Sequence, residues 1–504
     1  MTIKRRDTFA ILAGMALAPA IPRCAHARDV LPDDPRGDDS DALMALFADM
    51  ARTGRASLPG GMYKVSRPLV IPPGILEGGD VVLDFREANP ADFPDGICVR
   101  VNGAARAKLP NLLRNLAMGE RTLRFAGPHG LRVGETFQVS GTVDFAGNGY
   151  RYYYRKGEMF RVAQVIDATR IAVENGCRDD YPANATEVWK RAGDRFTQGC
   201  ASLTVIGRDD IGYTMEFASL DGATISNCRI EGGRLAALSI TDCYYVSGEN
   251  VRVRQTAAET KSPYGCVVAN SQDVRLRGEC YGHFSGFAIG GGKTDGGKVG
   301  MNRDIHFEGK AGSHPVAGLA GGNIHGNAEY CSLRGTFANG VIMGGNKNEA
   351  HGEFIKSASP PVVLAEMHGH DFRITGVLRT TGNADLSPKV GALHQSDYGM
   401  HARYGGVTEV SLQIHAPTAT RIVAWRPRDL ARADIELRLS LDIVKAHPKT
   451  RIMWFRRNGS TGDVLPLVTL DRLNLIDNSI PIRWSVDHLT RFKGAGVRAM
   501  TGQG

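Results

Sequence analysis

Between residues 213 and 428 the chain repeats one pattern of apolar and polar positions. A short apolar strand is followed by small or polar residues. A second, alternating strand comes next, and then a corner rich in Gly or Asn. The pattern runs Met215-Glu-Phe-Ala then Ala223-Thr-Ile-Ser, Leu238-Ser-Ile-Thr then Val251-Arg-Val-Arg, and Cys266-Val-Val-Ala then Val274-Arg-Leu-Arg. It continues through Phe287-Ala-Ile-Gly, Val341-Ile-Met-Gly, Val362-Val-Leu-Ala and Ile422-Val-Ala-Trp, each with its partner strand. The first strands start roughly 21 to 37 residues apart, the long gaps being loops. Such a period, with no helical spacing inside it, predicts stacked coils of β-strand. One coil cannot bury its apolar face alone, but coils piled on one another share a continuous core. A β-sandwich would place turns every ~8–12 residues and a propeller would repeat at ~40 or more, and neither matches as well.

Ahead of the repeat, Gly37-Asp-Asp-Ser-Asp41 supplies helix-capping residue types. The stretch 42–51 has helical spacing, with Leu43, Leu46, Phe47 and Met50 on one face. An amphipathic helix there would cover the open end of the first coil. Residues 28–84 therefore read as a cap and first coil. Residues 85–200 break the rhythm with short strands and turns and read as a small inserted β module. Its longest loop carries Tyr150, Tyr152, Tyr153 and Tyr154, whose rings offer faces for a sugar or for local packing. Residues 201–490 are the coiled body, and 491–504, rich in Gly and Lys/Arg, read as a frayed tail.

Residues 1–27 have the form of an export signal: Lys4-Arg-Arg, an apolar run, and Ala25-His-Ala before Arg28. The apolar run is too short to span a membrane. Arg5-Arg6 ahead of Phe9 resembles a twin-arginine signal, although two residues rather than one separate the pair from the Phe. A periplasmic or secreted location follows. The formal charge is +8, and about +5 without those 27 residues. A mildly basic surface suits an anionic polymer, while the absence of long Lys/Arg runs argues against nucleic acid. The nine cysteines include no Cys-x-x-Cys pair, and those on strands read as buried core residues.

The segment GDDSDAL…LPGGMYKVSRPLVIPPGILEGG, residues 37–79, resembles the opening of the pectate-lyase superfamily, in the branch related to glycoside hydrolase family 28 and phage tailspikes. The resemblance implies an all-β, right-handed parallel β-helix with a capping helix. It also implies action on acidic or complex polysaccharides, as hydrolase or lyase, although non-enzymatic members exist. Tailspike relatives are trimers, and nothing in the sequence compels the same here. His283-Phe-Ser-Gly-Phe-Ala-Ile-Gly is similar to a polygalacturonase segment, but the companion acidic pairs of that family are missing.

Stacked coils align equivalent positions into columns. The residues just after the first strands form a ledge between glycine runs. Hydrolysis needs two carboxyl groups facing the scissile bond, and Asp295, Glu349 and Glu366 are candidates. A lyase needs a base and a cation, which His368, with Lys293, His325 or Lys347, could supply, with or without Ca²⁺. Asn323, Asn346 and Arg403 complete the expected saccharide contacts. No other cofactor is expected. Hydrolysis is favoured over β-elimination, and the alternative is a carbohydrate-binding β-helix without turnover.

Overall fold

A computed structural model describes residues 37–103, 107–144, 154–190, 198–255, 257, 263–290, 300–356, 360–381, 392–395, 405–417, 421–425, 435–446, 451–455, 467–475 and 491–493. Residues 1–27, read as an export signal, lie outside these residues.

The expected stack is present. Two long parallel sheets run the length of a right-handed β-helix. One is built of short strands, from Leu69–Ile71 through Tyr213–Ala218, Ala236–Thr241 and Tyr264–Ala269 to Arg451–Phe455. The other is built of long strands, including Tyr244–Arg254, Gln272–Gly282, Asn302–Ser313 and Ile435–Ala446. Every neighbouring pair in both sheets is parallel, as successive turns of a coil require. Inside, Phe287, Phe307, Phe337 and Phe354 stack along the axis, with Phe287 and Phe307 centroids 4.5 Å apart. The eight described cysteines are buried, and several turn their sulfur toward a carbonyl of the preceding coil.

The long strands bend sharply midway, and the bend has a sequence cause. Gly278, Gly309, Gly335, Gly352 and Gly376 lie in register on five consecutive coils, with φ between 130° and 153°. A Cβ at Gly335 would land on the carbonyl oxygen of Gly309, and each neighbour in the column meets the same obstacle. Only glycine fits. On earlier coils Asn227 and Asn250 make the bend at φ near 53°, linked by a 2.9 Å side-chain hydrogen bond.

The helix Ser40–Thr53 buries Leu43, Leu46, Phe47 and Met50 over the first coil, as its spacing requires. Gly54 ends it in the left-handed conformation, donating to the Met50 carbonyl. The acidic run ahead of it acts differently from the expectation. Asp39 occupies the cap position without a side-chain capping bond. Its carboxylate accepts from Lys64 N–H, and Asp38 accepts from Ser40 and Ser66. These carboxylates tie the helix to the first coil.

The insert is a six-stranded antiparallel sheet from Ala107–Lys108 to Thr186–Lys190, with its own core around Phe125, Phe137, Phe160 and Ile171. It is shorter than its sequence limits. Ile97–Asn102 and Gln198–Ile206 pair with coil strands, because their apolar residues face the solenoid core. At the other end, Arg491–Lys493 pairs with Leu467–Leu475 and extends the long-strand sheet into the stretch read as tail.

Candidate functional site

The short-strand sheet passes into the long-strand sheet at one corner, and two columns of side chains run along it. The first is buried: Asp221, Tyr244, Gln272, Arg303 and Glu329 lie in register on successive coils. The residue after each has positive φ: Gly222, Tyr245, Asp273, Asp304 and Tyr330, continued by Lys347 on the next coil. The non-glycine members cluster at φ 53–59°, in the left-handed well that L-residues can occupy. Their side chains are half-buried or exposed.

The inserted module lies against this corner. Arg161 donates to Asp221 at 2.7 Å, with its guanidinium over the rings of Tyr244 and Tyr245. Met159 exchanges main-chain hydrogen bonds with the Gln272 amide at 2.9 and 3.3 Å. Gln138 donates to Asn270 at 2.9 Å. Asp179 pairs with the fully buried Arg303, and Arg178 pairs with Asp304 at 2.6 Å. The module thus roofs the corner with charged groups matched coil by coil.

At the half-buried edge of this seam stands a pair of carboxylates. Asp273 and Asp304 occupy the same corner position one coil apart. Burial and the neighbouring Asp304 charge push the Asp273 carboxyl up to about 6, against a smaller opposing pull from Arg178. Arg178 sits on Asp304 and neutralises it. The next coil adds Tyr330, whose ring lies 4.8 Å from the Arg178 guanidinium and 5.0 Å from Lys347 Nζ. Lys347 also donates to the Tyr330 hydroxyl at 2.9 Å. A carboxyl whose proton affinity is raised, standing beside a second carboxylate held by a guanidinium, is an arrangement suited to acid–base work on one bond.

Deeper in the corner is a second, buried network. Arg303 reaches Glu329 at 3.4 Å, and His368 Nε2 meets the same carboxylate at 2.9 Å. Burial would raise the Glu329 carboxyl, but the His368 hydrogen bond and the Arg303 charge outweigh it and hold it at about 2. His368 Nδ1 faces the Gly326 carbonyl at 2.9 Å. The Gly326 N–H donates to Glu366 Oε2 at 3.2 Å, an oxygen that also meets Tyr154 hydroxyl at 3.4 Å and His325 Nδ1 at 3.3 Å. Glu366 and His368 therefore clasp the N–H and the carbonyl of one buried residue, Gly326, on two successive peptide units.

Comparison with known proteins bears on this arrangement. Residues 231–392 match the family described as Gp49, pectin lyase-like. The fold resembles solved phage tailspikes. One, from Pseudomonas phage LKA1 (gp49), is 16% identical, with a TM-score of 0.68 over 90% of this chain and 76% of that one. Another, gp54 of the Acinetobacter baumannii phage AP22, solved with a capsular saccharide, is 17% identical, with a TM-score of 0.70 over 92% and 77%. A third, gp61 of Pseudomonas phage phi297, is 18% identical, with a TM-score of 0.65 over 89% and 72%. The chain shares the parallel β-helix fold of these tailspikes. No curated protein sequence matches it.

Against that β-helix, the sequence-predicted residues separate into groups. Glu366, His368 and His325 come together, but in the buried network. Asn323 is buried in a short strand between Ala288 and Ile342. Asn346 is buried and accepts the Asp371 N–H at 3.0 Å, a turn-holding bond. Lys347 belongs to the exposed corner column. Glu349 does not join the others. It stands on the outer face of the long-strand sheet beside Ser332 and Arg373, with Arg334 at 3.9 Å. Lys293, Asp295 and Arg403, like Tyr150, Tyr152 and Tyr153, lie outside the described residues. Among the described residues, no three His, Cys, Asp or Glu side chains gather as a cation cage. No helix among them is long and apolar enough to cross a membrane.

The carboxylate pair escaped the sequence reading, which aligned coils by the ends of the first strands. Aligning them by the starts of the second, Gln272-Asp-Val and Arg303-Asp-Ile, superposes Asp273 on Asp304. No sequence signal identified Arg178, which the insert delivers from a distant part of the chain.

Proposed function

We propose that the chain is an exported enzyme that cleaves glycosidic bonds in a polysaccharide, by hydrolysis at the Asp273–Asp304 corner. The observation that carries this reading is the carboxylate pair itself, with one member raised to about 6 and the other held by Arg178. Asp273, raised to about 6, is placed to give a proton to the leaving oxygen, and Asp304, ion-paired with Arg178, is placed to meet the sugar carbon. They stand one coil apart, ~4.8 Å along the axis, which suits the close spacing of a retaining pair. Tyr330 offers a ring face for a neighbouring sugar, and Lys347 a donor beside it. The tailspike likeness supports an extended saccharide as the ligand, and the charged first residues support export.

A second reading, β-elimination, is favoured by Tyr330. Its hydroxyl accepts from Lys347 and its ring faces Arg178, so a base and two cations share one coil edge.

The test is to incubate the chain lacking residues 1–27 with a glycan panel. Reducing ends without unsaturated-uronide absorbance are expected. Asp273→Asn and Asp304→Asn should each lower turnover at least ~100-fold while the circular dichroism spectrum stays unchanged. Reducing ends with that absorbance would mean a lyase, and retention without products a binder. Full activity in Asp273→Asn, with loss in Glu366→Gln, would move chemistry to the buried network.

A further inference from the structure

The face beyond the glycine bend carries a separate feature. An open cleft of about 410 Å³ crosses the second halves of the long strands. Two columns line it in register. One runs Arg229, Arg252, Glu279, Lys310, and the other Glu231, Arg254, Tyr281, Gly312. None of these residues belongs to the corner site.

The charges do not cancel evenly. Arg229 pairs with Glu231 at 2.6 Å, and Lys310 reaches Glu279 at 3.5 Å. Between these pairs lie Arg252 and Arg254, both exposed, neither with an ion-pair partner among the described residues. Arg252 also stacks directly on Arg229, a like-charge neighbour along the ladder. Glu231 on Arg229 and Glu279 in register beside Arg252 offset part of that repulsion, and an anion held by the two exposed guanidinium groups would offset the rest. The ring of Tyr281 leans over the bare backbone of Gly312, and Ala338 follows on the next coil. That leaves an apolar platform with a hollow in front of it, one coil from the arginines.

We propose that this cleft is a binding site for an acidic saccharide, separate from the site of bond cleavage. Its carboxylates meet the forks of Arg252 and Arg254, and a sugar ring lies against Tyr281. Coils rise ~4.8 Å each, so a polymer along the axis presents about one ring per coil. Neutralised ends and a cationic middle select an acidic segment over a neutral one. The chain would thereby hold a long acidic polymer on one face while cutting on another.

The experiment is a titration of the full chain with hexagalacturonate, its methyl ester, and an array of other uronate oligosaccharides at low and moderate salt. Acidic oligomers are expected to bind in a salt-sensitive manner and neutral ones to bind at least tenfold more weakly. Arg252→Gln/Arg254→Gln, with Tyr281→Ala made separately, should lower acidic-oligomer affinity at least tenfold and flatten the salt dependence. Wild-type affinity in the double variant, equal binding of neutral oligomers, or no uronate oligomer bound would overturn the proposal. Release of reducing ends in the same preparations reports on the corner site independently, so either idea can fail while the other stands.

Discussion

Two columns of positive-φ residues run along this molecule, and they were filled differently. At the corner, the non-glycine members from Tyr245 to Lys347 sit at φ 53–59°. At the bend, Gly278 to Gly376 sit at φ 130–153°. The first range is a shallow well that L-residues enter at a cost of about 1 kcal/mol. The second excludes them, and at the bend the preceding coil's carbonyl also fills the space a Cβ would need. The corner could therefore accept Tyr, Asp and Lys, and with them chemistry. From Gly278 onward the bend accepts nothing but glycine, whereas on the two coils before it Asn227 and Asn250 turn the strand at φ near 53°. What it contributes is a change of strand direction, which opens the cleft downstream. Backbone conformation, rather than exposure, decided where ionisable groups could gather.

The largest effect is expected where that distinction is violated. Gly335→Ala should destabilise the body by about 3–5 kcal/mol, combining an excluded φ with a collision against backbone that cannot move aside. The measurement is the denaturant midpoint followed by tryptophan fluorescence. A loss under ~1 kcal/mol would show that the bend relaxes and that its glycines are not required. The cleft variants of Arg252 and Arg254 serve as the comparison, since they alter the same face without touching the bend.

Legibility in the sequence followed the same line. The coils were readable because apolar strands and glycine corners recur, and each coil obeys the same packing rule as the next. Gly278, Gly309 and their successors do not read as a bend, because one glycine per strand carries no signal until the register aligns them. The helix was readable from Leu43, Leu46, Phe47 and Met50. Its acidic prelude was misjudged, because Asp38 and Asp39 bond forward to Lys64 and Ser66, contacts that local spacing does not encode. Glu366, His368 and His325 meet around Gly326 in a buried network that also takes in Tyr154 of the module, whose docking no periodicity reveals. Asp273 and Asp304 are ordinary turn residues until the register brings them together and Arg178 arrives from the insert.

A smaller effect should appear in the pH dependence of the corner. The folded carboxyl of Asp273 stands near 6 against 3.8 for the free group. Below pH 3.8 both states bind the proton and the position costs nothing. As pH rises from 3.8 to about 6, the unfolded chain ionises first and the native state loses at most about 3 kcal/mol relative to it. Asp273→Asn should therefore match wild type in acid and gain on it across pH 4–6, read from denaturant midpoints at each pH. In the pH–rate profile, the basic limb should lie near 6 and move upward in Arg178→Gln, because that guanidinium favours the ionised form. A gap between Asn variant and wild type that is independent of pH would mean Asp273 titrates normally.

The smallest effect belongs to an alanine placed at the corner instead of the bend. Lys347 already has a Cβ at φ 55°, so Lys347→Ala adds no backbone strain. It removes only the 2.9 Å bond to the Tyr330 hydroxyl and the ammonium–ring contact, about 0.5–1 kcal/mol for a half-exposed pair. Lys347→Gly should recover most of that loss, since glycine enters the left-handed well without penalty. Comparing both with Gly335→Ala uses the same assay and nearly the same chemical change. If alanine at 347 proved as damaging as alanine at 335, the two columns would be equally intolerant. The placement of Asp273 and Asp304 would then need a cause other than backbone geometry.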